Sequence, residues 1–373
     1  MSGRRATRPG SAPGAGVGAR TGDSTGAGVV TGTAATVLAF PGQGSQFPGM
    51  TARLYLGHVR YRAHLEAAAE ALGPYTSSSI IDLVVGGDAR IWQTGFAQPA
   101  LFAVEYALAT TLIESGVRPA AVLGQGVGEL AAAVIAGALS LDDAALLVAT
   151  RGAFMHFLPP GGMLAVRVGA RGPGGLLDGP LSDALAREPA VTVSAFNGPR
   201  DLVLSGEPAA LGRVGAALRR QRVATLPLAV PHAFHCALMQ PVLGRYHRVL
   251  SRVSLGAPSL AFYSTVRGGA MRGEALDAQY WAEHVTAPIL FARAAERLTA
   301  DLRSAVIVEV GPRPSLGGLL RRRGGGADTL VCVSACPSVD TDAAGLNALA
   351  ERLVDGRIAN ENTQERWTAA SAA

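Results

Sequence analysis

The turn Gly124-Gln125-Gly126-Val127-Gly128 is where this sequence comes closest to chemistry. The apolar run Ala121, Val122, Leu123 precedes it and reads as a buried parallel strand; the Ala-rich segment after Glu129 reads as a buried helix. Strand, glycine-flanked tip and helix is the layout of a nucleophile elbow. Such an elbow holds a serine hydroxyl at the top of a sheet and turns a helix N-terminus toward a developing oxyanion. Here the tip is Gly126. The frame for attack on an acyl carbonyl is expected, without the atom that would attack. A glycine also fits the strained backbone of an elbow tip at lower steric cost than serine. A dinucleotide fingerprint does not fit, because Glu129 stands where the third glycine of G-x-G-x-x-G belongs.

Other elements must surround this turn. Val37–Phe40 reads as a strand running into Pro41–Gln46, PGQGSQ, which places Gln43 at the carboxyl edge of a parallel sheet. Tyr55–Leu72 has helical spacing and a Ser-rich loop follows it. Gln98–Ile113 reads as a helix with Pro99 in its first turn. Ser140 suits an N-cap for a helix to Met155 that carries Arg151 near its end. Strands at Met163–Val168, Val191–Phe196, Asp201–Ser205 and Val223–Val230, with helices at Leu181–Arg187 and Pro208–Gln221, give β-α-β-β-α-β. That is the split unit of ferredoxin-like folds. After it come Pro231–Met239 with two histidines, a strand Leu260–Tyr263, and a mostly helical Tyr280–Ala300. A strand Val306–Val310 then ends in Gly311–Leu316, followed by a strand Thr329–Val333 and a helix Ala343–Asp355. The expected organisation is a disordered tail over 1–36, a large domain over 37–162 and 231–356, an inserted ferredoxin-like domain over 163–230, and a flexible tail over 357–373.

Composition narrows the class. Of 373 residues 49% are hydrophobic and 16% charged, enough for a sizeable core. Every basic side chain is arginine, the net charge is +5, and no basic stripe with interleaved aromatics points to nucleic acid. The N-terminus lacks an apolar signal region, and no uninterrupted apolar run suggests a membrane span, so a cytoplasmic protein is expected. Cys332 and Cys336 lack a second ligand pair at zinc spacing; both are expected to be buried thiols, and no metal is expected.

Taken in order, PGQGSQ, QPALFAVEYALA, Gly124–Glu129, Arg151-Gly152, HAFHCALM, YWAEHVTAPILF and EVGPRPSL resemble the motif series of one family. It comprises the malonyl-CoA:acyl-carrier-protein transacylases and the acyltransferase domains of polyketide synthases. The resemblance runs from Val37 to Asp355. It implies an α/β-hydrolase-like large domain with an inserted ferredoxin-like domain. It also implies CoA and phosphopantetheine thioesters as substrates without a separate cofactor. Acyl- or malonyl-CoA, an acyl carrier protein and a ketosynthase are the partners it implies. No ketosynthase or carrier segment flanks the domain, so the chain reads as free-standing. Residue by residue, His235 matches the general base, and Gln43 with the Val127 N–H matches the oxyanion hole. Arg151 matches the arginine that holds the malonyl carboxylate, and Phe234 resembles the malonyl-selective form of its motif. Gln98 and His284 match positions that line the pocket and orient the base. His232 is expected to support a loop. The family elbow reads Gly-His-Ser-x-Gly-Glu, whereas Gln125 and Gly126 replace its histidine and serine here. The expectation is an acyltransferase of polyketide or fatty-acid synthesis impaired in the acyl-serine step. The alternatives are a non-catalytic carrier-protein or synthase-binding module, or a slow acyl-thioester hydrolase using His235 and water. Ser45 and Cys236 lie near the motifs, but neither is expected to substitute as nucleophile.

Overall fold

The computed structural model describes residues 34–169, 179–321 and 330–360. Its strands are β1 (Ala35–Phe40), β2 (Pro119–Gly124), β3 (Gly162–Arg167), β4 (Val191–Phe196), β5 (Asp201–Gly206), β6 (Ala224–Leu228), β7 (Ala261–Ser264), β8 (Gly269–Met271), β9 (Ala305–Glu309) and β10 (Leu330–Ser334). The larger sheet has the order β10-β9-β1-β2-β7-β8, parallel except for β8. Its central strands are buried on both faces, so they read as continuous apolar runs rather than alternating ones. Leu38, Phe40 and Val122 face a core shared with the helices Val59–Leu72, Thr94–Glu114 and Leu141–His156. Val37, Ala39 and Leu123 face the helix Phe291–Asp301 on the other side. Thr94–Glu114 is long and apolar enough to cross a membrane by length and composition, but most of it is buried in this core.

The parallel register sets up the site. Phe40 pairs with Gly124 and Ala39 with Glu309, so the loops leaving β1, β2 and β9 emerge side by side at one sheet edge. The smaller sheet is antiparallel, in the order β4-β5-β3-β6, with helices Pro180–Ala186 and Pro208–Arg220. That strand order is the ferredoxin-like one for a β-α-β-β-α-β chain. It joins the larger layer through Ile289, whose N–H donates to the Ser194 carbonyl at 2.8 Å and whose carbonyl accepts from Phe196 at 2.8 Å.

Several elements differ from the sequence expectation. Ala35 and Thr36 belong to β1 rather than to a tail, while 1–33 and 361–373 lie outside the described residues. The helix expected over Tyr55–Leu72 breaks at His58, whose ring accepts from the Tyr61 N–H and caps Val59–Leu72. Part of the Ser-rich loop is a helix, Ile80–Val85, capped by Ser79. Tyr280–Ala300 divides into Ala278–Thr286 and Phe291–Asp301, because Pro288 cannot continue a helix. Arg357–Asn360 is helical and Ile358 is buried in the core. Cys336 is buried as expected, but Cys332 is only half-buried.

Candidate active site

The elbow is held by backbone contacts before any side chain acts. The Gln125 N–H donates to the Phe40 carbonyl at 2.9 Å, tying the turn to the end of β1. A Cβ on Gly128 would lie 2.5 Å from the Pro41 carbonyl oxygen, so only glycine lets the elbow pass this close to the Pro41–Gln46 loop. Gly126 has φ +55°, in the left-handed region. A Cβ built there meets only one atom within 4 Å, His235 Nε2 at 3.5 Å.

His235 itself is held in the left-handed region at φ +56°. Such strain in a non-glycine residue concentrates at functional sites. Its Nδ1 lies 3.1 Å from the Ala287 carbonyl, which can only accept, so Nδ1 carries the proton. The lone pair is therefore on Nε2, facing position 126. Burial, and then the nearby Arg151 charge, push the imidazole down to about 3, so it stays neutral at ordinary pH. His284 Nε2 donates to the Gly126 carbonyl at 2.8 Å, and its Nδ1 is buried with no partner among the described residues. Tyr280, one turn earlier on the same helix, donates to the Glu129 carboxylate, which also accepts from the Thr265 N–H at 2.6 Å. The helix Ala278–Thr286 thus grips the elbow at its tip and at its first turn. Burial raises the Glu129 carboxyl to about 7, against the pull of the Thr265 and Tyr280 hydrogen bonds.

A second constellation lies around Arg151 on the helix Leu141–His156. Its guanidinium is buried, and Nη1 donates to Gln98 Oε1 at 2.5 Å. Among the described residues its Nε has no partner and no carboxylate forms an ion pair with it. Desolvation lowers Arg151 to about 10, with Tyr246 and Glu129 acting in the opposite sense, so it remains cationic. Gln98 Nε2 donates to Thr94 Oγ1 at 3.0 Å, and the Thr94 hydroxyl donates to Gln43 Oε1 at 2.7 Å. Gln43, Gln98 and Arg151 are thus brought into one network. Neither Thr94 nor Tyr246, whose buried hydroxyl has no partner among the described residues, is signalled by the sequence; only the i,i+4 spacing of Thr94 and Gln98 points to the former.

The remaining positions sort by contact. The Gln43 and Val127 N–H groups have no backbone partner among the described residues. Phe234 is buried, with His232 edge-on at 6.0 Å; His232 Nδ1 donates to the Pro159 carbonyl at 3.3 Å. Gln125 Nε2 donates to Asn197 Oδ1 in the β4–β5 turn at 3.0 Å. The Ser45 hydroxyl is bound to the Gly42 carbonyl at 3.1 Å and the Cys236 thiol to the Ala233 carbonyl at 3.2 Å. Burial raises that thiol, so it is not poised as a thiolate. Among the described residues no His, Cys, Asp and Glu cluster could hold a metal ion.

A parallel sheet with a glycine-framed elbow at its edge, a neutral histidine facing the tip and a ferredoxin-like insertion defines an acyltransferase fold. Residues 37–353 match the acyl transferase domain family, and the chain belongs to it. The chain is 37% identical over 293 residues to polyketide synthase GfsB of Streptomyces halstedii, covering 78% of this chain and 5% of that protein. With the phenolphthiocerol synthesis polyketide synthase Pks15/1 of Mycobacterium marinum it shares 38% identity over 314 residues, covering 82% and 14%. The chain therefore spans only a small part of these relatives. Among solved structures, the acyltransferase domain from the second module of the salinomycin polyketide synthase superposes with TM-score 0.76 at 33% identity, covering 86% of this chain and 73% of that one. The acyltransferase domain of SpnD, in complex with 2-(pent-4-yn-1-yl)malonyl, superposes with TM-score 0.77 at 28% identity, covering 88% and 79%. The family and the α/β fold inferred from the motifs are borne out.

Proposed function

We propose that this acyltransferase-family chain binds a carboxylated acyl thioester, such as malonyl-CoA or its carrier-protein equivalent, but forms no acyl-enzyme at position 126. The observation that carries this reading is the vacated Cβ position of Gly126, 3.5 Å from the lone pair of His235. Arg151 offers a cationic fork to the free carboxylate, with Gln98 behind it and Phe234 beside the motif. The Gln43 and Val127 N–H groups are the proposed oxyanion donors, and His284 fixes the Gly126 carbonyl below them. Loss of the serine removes the covalent route, which in a serine hydrolase costs about 10⁶-fold in kcat, or roughly 8 kcal/mol of barrier. The rest of such a site retains on the order of 10³–10⁴ over uncatalysed hydrolysis.

What remains is attack by water. His235 Nε2 takes a water proton as the oxygen bonds to the thioester carbonyl carbon, and the resulting O⁻ is held by the two N–H donors. The C–S bond then breaks, the sulfur takes the proton from His235, and the acyl group leaves as the free acid. The test pairs intact-protein mass spectrometry with thiol release from malonyl-CoA. No adduct is expected, with slow hydrolysis that is lost in His235→Ala. A stoichiometric adduct mapped to Ser45 or Cys236 would overturn the reading. Absent hydrolysis alongside carrier-protein binding would make the chain a binding module instead.

A further inference from the structure

We infer that Thr94 is a positioning residue whose hydroxyl links the Gln98 amide, oriented by Arg151, to Gln43 and so aligns Arg151 and the Gln43 loop together for a carboxylated acyl unit. The inference rests on the proposed acyl-thioester reading. It starts from a constraint of donor chemistry. A guanidinium only donates, so the group 2.5 Å from Arg151 Nη1 is the Gln98 oxygen. That leaves the Gln98 amide nitrogen toward Thr94, 3.0 Å away, where the threonine oxygen accepts. The Thr94 proton is then committed to Gln43 Oε1 at 2.7 Å. The Gln98 amide, which could otherwise sit either way round, is fixed by one residue that cannot accept, and the Thr94 hydroxyl joins it to the Gln43 oxygen. Gln43 consequently presents its NH₂ end away from Thr94.

Thr94 is the one link in this chain that both accepts and donates through a single atom, and it is fully buried. With valine in its place, the Gln98 nitrogen loses its oxygen acceptor and the Gln43 oxygen loses its donor. That nitrogen would keep only the Met155 sulfur, 3.4 Å away, so the amide behind Arg151 would be held by the guanidinium and a weak acceptor and no longer by the Thr94 hydroxyl. A carboxylate on the acyl unit needs the guanidinium in register, whereas an acetyl group does not. The loss should therefore depend on the carboxylate.

Calorimetry of the natural chain with malonyl-CoA and acetyl-CoA tests this. Thr94→Val is expected to weaken malonyl-CoA binding about tenfold while changing acetyl-CoA binding much less, and Thr94→Ser is expected to restore it. In an Arg151→Ala background Thr94→Val should have no further effect on malonyl-CoA. Thr94→Ala should behave as the valine variant does and serves if that one does not fold. Equal weakening of both ligands, failure of serine to rescue, or losses that multiply in the Arg151→Ala background would overturn the inference and leave Thr94 a structural residue. If the natural chain binds neither thioester, the acyl-thioester reading itself falls and the inference with it.

Discussion

The elbow and the surroundings of Arg151 are opposite halves of the proposed acyltransferase site. At the elbow the frame is backbone: the left-handed tip, the bare Gly128 against Pro41 and His235 facing the tip are in place, and the tip itself carries no side chain. At Arg151 the side chains persist where the core has no use for them. Glycine at φ +55° relieves strain that costs a serine about 1–3 kcal/mol. A buried guanidinium bound to one neutral amide runs the other way, because removing a cation from water costs several kcal/mol even after relaxation. Stability alone favours what happened at position 126 and opposes what remains at 151. The pocket therefore reports on a ligand more directly than the elbow does.

The largest effect expected from breaking this comparison is a gain. Gly126→Ser combined with Gln125→His should create self-acylation by malonyl-CoA, which the natural chain is expected to lack, and raise thiol release by as much as about 10⁶-fold over the natural chain. The new Cβ meets only His235 Nε2, at ordinary van der Waals distance, so the serine enters without displacing backbone. Its hydroxyl can reach the roughly 2.6–3.2 Å that proton transfer needs. A stability cost of about 1–3 kcal/mol should accompany it, measurable by denaturant titration. Because His235 is held down to about 3, acylation should stay flat between about pH 5 and 8, and lose the base only in stronger acid. A folded double variant that stays unacylated would mean that the pocket has decayed along with its nucleophile.

Arg151→Ala should come next in size. It should weaken malonyl-CoA binding by about 1.5–3 kcal/mol, the value of hydrogen bonds to a charged group, and acetyl-CoA binding far less. Arg151→Met, which keeps an unbranched apolar stem but is shorter, should lose the same selectivity yet cost the fold little, because the uncompensated charge it removes offsets the space it opens. Equal weakening of both thioesters would take Arg151 out of the carboxylate role. A methionine variant much less stable than the natural chain would undo the contrast with the elbow.

Much of this was legible in the chain because the site is built from short, rigid motifs at strand ends. The apolar runs before Pro41 and Gly124, and the glycines after them, announce parallel strands and their edge loops without any tertiary knowledge. What stayed hidden depends on partners remote in sequence. The acceptor that fixes the His235 tautomer is the backbone carbonyl of Ala287, and no side-chain type betrays a carbonyl's direction. Thr94 looks like an ordinary helix start until Gln43 is brought across from another loop. The break at Pro288 was written in the sequence, but its use was not: Ile289 leaves the helix to pair with Ala195 and carry the inserted sheet. Ile80–Val85 is helical although its isoleucines and valines favour strands, since a Ser79 cap and burial of Ile80, Leu83 and Val84 outweigh propensity.

The smallest effect concerns Gln125, where the motif resemblance leads one to expect histidine. Its amide donates to Asn197 in the β4–β5 turn at 3.0 Å, joining the elbow to the inserted sheet. The bond is only partly buried, so its net worth should be about 0.5–1.5 kcal/mol, well below either change described above. A double-mutant cycle of Gln125→Ala and Asn197→Ala, followed by thermal unfolding, should return a coupling in that range. Gln125→His in the natural Gly126 background should lose the bond and gain no chemistry, because no hydroxyl stands beside it. Zero coupling would leave Gln125 a bystander. Measurable coupling would show that the residue beside the glycine tip fastens the insertion to the elbow, a role that needs reach and an amide rather than an imidazole.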